Sequence, residues 1–312
     1  MIVISEDVWS PEFAELQSRH PLVHEADLWN RGEDLARQLA TAEALVIRNR
    51  TKVTRDLIAA APKLRIIARA GVGLDNIDIK AADEHGVVVS AALGINAVAV
   101  AELTLGLALA LARDVTARDV STRAGQWDRR PGTELSGKCW GLLGFGATGR
   151  AVAKLLSGFG CEILAYDPFV KSAAGVRLCE LAEVITKSDV ISIHLPATAE
   201  TTGLINKALI SKMKPSALLV NVGRGEVINE AELADSLRTG LIAGAALDVR
   251  AIEPPKDSRF DEFSNVILTP HIAGITRESQ NAINQVLVSE IELALAGKPQ
   301  RYAVGAIKQA IK

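Results

Sequence analysis

The sequence predicts an α/β chain made of two doubly wound parallel sheets, and three observations carry that prediction. Its 312 residues suffice for two domains at about 150 residues each. Short Val/Ile-rich runs alternate with amphipathic stretches of a dozen or so residues, which is the pattern of parallel strands joined by crossover helices. No internal repeat or low-complexity tract breaks the alternation, and 48% apolar with 23% charged residues is ordinary globular usage.

Taken in order, Ile2–Ile4, Leu45–Ile47, Arg65–Ala68 and Val87–Ser90 read as strands, with helices near 33–41 and 54–60, and together they make one small sheet. The most apolar window, Ala97–Ala112, is interrupted by Glu102 and Thr104 and falls short of the roughly 18 apolar residues of a membrane span. It reads as a buried helix starting near Asn96. A more polar stretch around 127–133 leads to six further strands, Cys139–Leu143, Glu162–Tyr166, Val190–His194, Leu218–Val222, Ala243–Leu247 and Val266–Leu268, enough for a dinucleotide-binding unit. Arg277–Ala296 carries Ile283, Val286, Leu287, Ile291, Leu293 and Leu295 at helical spacing and stops at Gly297-Lys298-Pro299. A helix entering near Asn96 and another leaving near Ser279 would form a hinge. The expected division is residues 1–95 plus 285–312 as a substrate domain and 96–284 as a dinucleotide domain.

Charge excludes some classes. Thirty-five Lys and Arg against 37 Asp and Glu give a net charge of -2, so there is no bulk basic field for nucleic acid or anionic lipid, and any anion site is local. Cys139, Cys161 and Cys179 are odd in number and lack metal or CxxC spacing, so they read as buried small apolar residues in a reducing cytoplasm. The start, Met1–Asp7, has no basic region or long apolar run and does not read as a secretion signal. His20, His24 and His85 lack partners at metal spacing, and no metal is expected. Trp127 and Trp140 suit a subunit interface, core packing or the hinge equally.

The run from Gly141 to Gly149 places GxGxxG between an apolar strand and a helix over 150–158. Gly144 permits the tight turn, Gly146 admits a pyrophosphate and Gly149 lets the helix sit close on the strand; Phe145, Ala147 and Thr148 complete the loop. Eighteen residues past Gly149, after the next strand, Asp167 stands where a carboxylate takes ribose hydroxyls and repels a 2′-phosphate, favouring NAD over NADP. A glycine-rich turn without ligand and an S-adenosylmethionine site are the competing readings.

Three strand-end positions supply groups that handle a carbonyl and its proton. Arg224 follows Leu218–Val222, Glu253 follows the strand ending at Asp248, and His271 follows Leu268-Thr269-Pro270. A guanidinium grips a carboxylate and a neighbouring carbonyl oxygen; an imidazole backed by a carboxylate delivers a proton as hydride reaches carbon. Each residue alone has a bland reading, as surface charge, solvated loop residue or structural histidine. Their joint appearance at successive strand ends makes the case.

With these blocks on view, the sequence resembles the D-2-hydroxyacid dehydrogenases. The resemblance also runs through residues 69–78, His194-Leu195-Pro196, residues 201–206 and Ala246-Leu247-Asp248-Val249, so it covers most of the chain. It implies a Rossmann NAD-binding domain inserted into a flavodoxin-like substrate domain. It implies that Arg224 grips a 2-hydroxy or 2-oxo acid, that His271 is the acid/base, and that Glu253 pairs with it. It further implies that Val72 and Gly73 hold the carboxylate through backbone N–H groups, that Asn96 lies near the substrate, that His194 and Pro196 belong to the cofactor-side loop, and that Asp248 positions the nicotinamide carboxamide. Family members are usually homodimers clasped through their cofactor domains, with the two domains closing over the reactants. The nearest branch is that of 3-phosphoglycerate dehydrogenase, in which the residue matching Arg48 faces the substrate. Arg50 adds a second guanidinium and suggests a second anionic group, as in 3-phosphoglycerate or 3-sulfolactate. The chain departs from that branch at Ser90-Ala91-Ala92, at Arg250 where an aromatic is common, and at Ile272–Thr276. No regulatory domain is expected after Lys312. The alternative reading is a non-enzymatic NAD(H)-sensing interaction protein on the same fold.

Overall fold

The computed structural model describes residues 1–310, which form two compact units: Met1–Asn96 with the segment from Arg277 onward, and Ala97–Thr276. Residues 311 and 312, the end of the tail assigned to the first domain, lie outside the described residues.

In the first unit six strands lie in the order Ala303–Val304, Val88–Ala91, Ile66–Arg69, Ala44–Ile47, Ile2–Ile4, Leu22–His24. All neighbours are parallel except the first pair. Because strand side chains alternate, Val3, Leu45, Ile47, Ile67 and Val89 pack on one face while Ile2, Ile4, Val46, Ile66 and Val88 pack on the other. Such two-sided burial explains why these strands read as continuous apolar runs. The two edge strands escape a sequence reading because they are two and three residues long and bury little.

The helix Arg277–Leu295 belongs whole to this first unit, which moves the expected boundary at 284/285 back to 276/277. Ile283, Leu287, Ile291 and Ala294 form one stripe against Ile2, Ile4 and Val46, so the helix docks as a single body. Its Glu290 is buried and accepts hydrogen bonds from Ser90 Oγ (3.0 Å) and the backbone N–H groups of Arg301 and Tyr302 (3.0 Å each), tying down the tail.

The second unit holds seven parallel strands in the order Val266–Leu268, Gly244–Leu247, Leu218–Asn221, Val190–Ile193, Cys139–Leu143, Glu162–Tyr166, Arg177–Leu178. The strand Cys139–Leu143 sits between 190–193 and 162–166, so the winding reverses beside it and its carboxyl end opens at the switch point of the sheet. Trp140 is core: it is fully buried and donates from Nε1 to Ser192 Oγ at 2.9 Å. The helix Ala97–Ala112 is buried on one side only; Val98, Glu102, Gly106 and Leu109 form an open stripe. Beyond it the helix Val115–Arg123 buries none of its residues, and Val115, Val120 and Trp127 are exposed. The three cysteines are free but only partly buried, because Cys139 opens a strand, Cys161 lies in the turn before the next, and Cys179 follows an edge strand. Desolvation raises all three thiol pKa values.

Glu290→Ala should therefore strand the buried Ser90 hydroxyl and two partly buried backbone donors and lower unfolding free energy by about 3 kcal/mol. Urea denaturation checks the size, and faster proteolysis after residue 297 checks the location.

Candidate active site

The glycine turn follows the strand Cys139–Leu143 in the second unit. Gly144 has φ +94°, and a Cβ there would lie 2.9 Å from the backbone of His194, so the turn closes directly on the neighbouring strand end. At Gly149 an added Cβ would stand 2.3 Å from the Gly144 carbonyl oxygen, whereas at Gly146 it would meet nothing within 4 Å, leaving the approach to the helix start open. The N–H groups of Gly146, Ala147 and Thr148, at the start of the helix Ala147–Leu156, have no acceptor among the described residues. Three unpartnered donors at a helix N-terminus fit a pyrophosphate. Asp167 accepts from Phe145 N (2.8 Å) through one oxygen and from Phe169 N (2.9 Å) through the other, which places its carboxylate beside the turn with lone pairs to spare.

His194 adds a second fit. Its Nε2 lies 3.0 Å from Ser192 Oγ, the hydroxyl that already accepts from Trp140. The hydroxyl, with a second lone pair and its own proton, can either accept from Nε2 or donate to it. Nδ1 is buried without a partner among the described residues, an orphaned polar atom on the strand end whose backbone the glycine turn closes against. Desolvation pushes the His194 pKa down to about 3, so the ring is neutral. The unfolded chain binds this proton near 6.5; the associated stability is complete above that pH and declines as pH falls. Pro196 is exposed, and its carbonyl accepts from Thr201 Oγ1 at 2.6 Å, shaping the same loop.

Three strand ends further along, a set of acid/base and cationic groups is held. Asn221, buried, donates from Nδ2 to the Arg224 carbonyl (2.9 Å) and accepts from Gly223 N (3.1 Å), which fixes the turn carrying Arg224. Asp248 is also buried and accepts from Thr269 Oγ1 (2.6 Å), Ile272 N (2.9 Å) and Ala273 N (2.8 Å), while its carbonyl accepts from His271 N at 2.7 Å. These bonds hold His271 at φ +56°, a left-handed conformation that a side-chain-bearing residue adopts at a cost of roughly 1–3 kcal/mol. Its Nδ1 lies 2.6 Å from Glu253 Oε2. Burial raises the Glu253 pKa, but the bonds from His271 and Arg250 N, with His271 and Arg224 as nearby cations, hold it below the usual range. An ionised carboxylate on Nδ1 leaves Nε2 as the imidazole's free proton-transfer atom.

The other expected residues lie in the first unit. The loop after the strand Ala44–Ile47 presents Arg48 half-buried and Arg50 exposed, with the Arg50 guanidinium 5.2 Å over the Trp29 ring. Its backbone is anchored from below. Buried Glu6 accepts from the N–H groups of Arg48 (2.8 Å), Arg50 (3.0 Å) and Thr51 (2.9 Å), while Asn76 Nδ2 donates to the carbonyls of Arg48 (3.1 Å) and Thr51 (2.7 Å). With three of the loop's N–H groups held by Glu6, the side chains of Arg48 and Arg50 are its cationic groups toward a ligand anion. Val72 and Gly73 have N–H groups with no acceptor among the described residues, as a carboxylate cradle requires, and Asn96 is buried at the end of the unit. Glu6, Asn76 and Ser192 are the supporting residues that sequence reading misses, since their partners lie at least 25 residues away or, for Ser192, inside a strand. Asn221 carried a usable signal, an Asn two residues before a Gly at a strand end.

Comparison with known proteins gives the family. Residues 105–273 match the family described as the D-isomer specific 2-hydroxyacid dehydrogenase NAD-binding domain. The chain is 42% identical over 279 residues to the D-3-phosphoglycerate dehydrogenase of Mycobacterium leprae, covering 86% of this chain and 53% of that protein. It thus spans about half the length of that curated relative. A solved Thermus thermophilus protein superposes with a TM-score of 0.90 at 30% identity, over 97% of this chain and 99% of the other. An NADPH-dependent glyoxylate/hydroxypyruvate reductase of Sinorhizobium meliloti, in complex with NADP and malonate, gives 0.89 at 27%, over 100% and 98%. Those relatives with named activities are enzymes, and nothing in them supports the non-enzymatic sensor.

Gly149→Ala should weaken NADH binding at least tenfold while the unit still folds, because its Cβ pushes the helix start off the turn. Fluorescence titration with NADH, beside circular dichroism, measures both.

Proposed function

We propose, from the premise that this chain belongs to the D-isomer-specific 2-hydroxyacid dehydrogenase family, that it interconverts a 2-hydroxy acid bearing a second anionic group and its 2-oxo acid, with NAD as redox partner. The observation that carries the reading is the 2.6 Å contact between His271 Nδ1 and Glu253 Oε2, held in the unit that carries the glycine turn. NADH, when bound, supplies the hydride to the carbonyl carbon. Arg224 neutralises the substrate carboxylate and polarises the carbonyl. His271, protonated and steadied by Glu253, releases the Nε2 proton to the oxygen as it becomes a hydroxyl; Glu253 stays a carboxylate throughout. In the oxidative direction neutral His271 takes the proton back.

Substrate choice is assigned to Arg48 and Arg50, with Val72, Gly73 and Asn96 on the carboxylate side. Two guanidiniums on a loop with no carboxylate paired to them among the described residues favour a phosphate or sulfonate. Likeness to a D-3-phosphoglycerate dehydrogenase supports 3-phosphoglycerate, and 3-sulfolactate carries the same charges. Asp167 supports NAD over NADP by repelling a 2′-phosphate. We assign Asp248 to the nicotinamide carboxamide as well as to its own loop, since three of about four lone-pair positions are used. The open stripe of Val98 and Leu109 with exposed Val115, Val120 and Trp127 supports a homodimer formed through this face. Three unpaired thiols suit a reducing cytoplasm.

A panel of 3-phosphoglycerate, 3-sulfolactate, malate, tartrate, glycerate and lactate with NAD tests the reading. Turnover should favour a dianion. Arg224→Ala should raise KM at least tenfold, and His271→Ala should lower kcat by about 10²–10⁴; unchanged rates in both would end the assignment. A monomeric mass in sedimentation for the wild type, or an unchanged mass for Trp127→Glu with Val120→Glu, would remove the proposed interface.

A further inference from the structure

Arg250 stands where the resemblance leads one to expect an aromatic, and it has no part in the substrate or dinucleotide roles assigned above. Its side chain is nevertheless only 9% exposed, as is that of Glu230. The guanidinium donates from Nε to Glu230 Oε1 (3.0 Å) and from Nη2 to Oε2 (2.9 Å), and it lies 4.8 Å over the Phe260 ring. Glu230 opens the helix Glu230–Arg238 and also accepts from Ala251 N at 2.8 Å. Asp257, 3.6 Å from Nη2, and Arg259, 3.9 Å from Glu230, complete a neutral network of four charges.

What this network immobilises is backbone. Arg250 N donates to Glu253 Oε1 at 3.0 Å, the oxygen not used by His271. The same backbone abuts the turn after Arg224 so closely that a Cβ on Gly225 would lie 1.9 Å from the Arg250 carbonyl carbon. We propose that Arg250 and Glu230 are positioning residues whose ion pair clamps the 250–251 backbone so that its N–H orients the Glu253 carboxylate onto His271. The proposal rests on the reading of Glu253 and His271 as the acid/base pair. An aromatic at 250 can cover Phe260 but cannot engage Glu230; in this chain a bidentate, desolvated pair sets the loop, and losing either partner leaves a buried charge. Besides the clamp, the groups facing the pair are Arg224, through its charge, and Arg250 N.

Arg250→Met keeps apolar volume and removes the charge, Glu230→Gln keeps shape, and Arg250→Glu with Glu230→Arg reverses the pair. Wild type and variants are compared with NADH and the 2-oxo acid of the best panel substrate, well below each melting temperature, and by proton NMR without substrate. Both single variants should lower kcat at least fivefold, leave KM and the NADH Kd within twofold, and move the alkaline limb of kcat to lower pH. The downfield signal of the His271 proton shared with Glu253 should broaden or vanish in each, and the reversed pair should restore part of it. An unmoved limb with an intact signal, whether or not kcat and melting temperature fall together, overturns the proposal and leaves a purely structural pair. His271→Gln runs alongside: if it keeps wild-type turnover, the acid/base reading falls and the inference with it. If it is inactive while Arg250→Met keeps its limb and signal, only the inference falls.

Discussion

A buried carboxylate, that of Asp248, is the interaction on which the arrangement at the strand ends depends. One side chain collects Thr269 Oγ1, Ile272 N and Ala273 N, and its carbonyl takes His271 N, so the loop after Val266–Leu268 has one path. Without those bonds His271 would relax from φ +56°, and the imidazole would no longer meet Glu253. Charge-assisted bonds to backbone N–H are among the stronger ones available and impose direction as well as energy.

The same device recurs at three other loops. Glu6 gathers three N–H groups of residues 48–51, Glu290 gathers those of Arg301 and Tyr302, and Glu230 takes Ala251 N. Parallel sheets explain the need. Loops at the carboxyl ends of strands leave the ladder with unpaired donors, which water satisfies at the surface but which must be answered from within once partly buried. At the glycine turn and at Val72–Gly73 donors stay unanswered among the described residues, and these are the places to which we assign anionic ligands.

Electrostatics at the two groups of charged residues then differ in kind. Arg224 lies near Glu253, whose negative charge it helps to keep, whereas Arg50 rests on an aromatic face. A guanidinium on a π face is oriented without being neutralised. This suits a residue whose partner arrives with the substrate.

Legibility follows the range of the forces involved. Residues that act through their own strand or turn, such as Gly144, Asp167, Arg224 and His271, stand in local patterns, and so do the buried strands, whose two-sided packing forces continuous apolar runs. Short edge strands, the open stripe on the helix Ala97–Ala112 and the unbroken docking of Arg277–Leu295 depend on which surfaces meet, and no window along the chain contains that information. By itself the sequence determined the fold class, the dinucleotide turn and which residues are candidates for acid/base work, because backbone freedom and side-chain chemistry are properties of single positions. Only the tertiary structure decided what supports them: Glu6 beneath Arg48 and Arg50, Ser192 beneath His194, and the Arg250–Glu230 pair beneath Glu253. Apart from the local Ser192–His194 contact, those bonds join residues 20 to 45 positions apart, and a hydrogen bond between distant segments exists only once the fold has brought them within 3 Å or so.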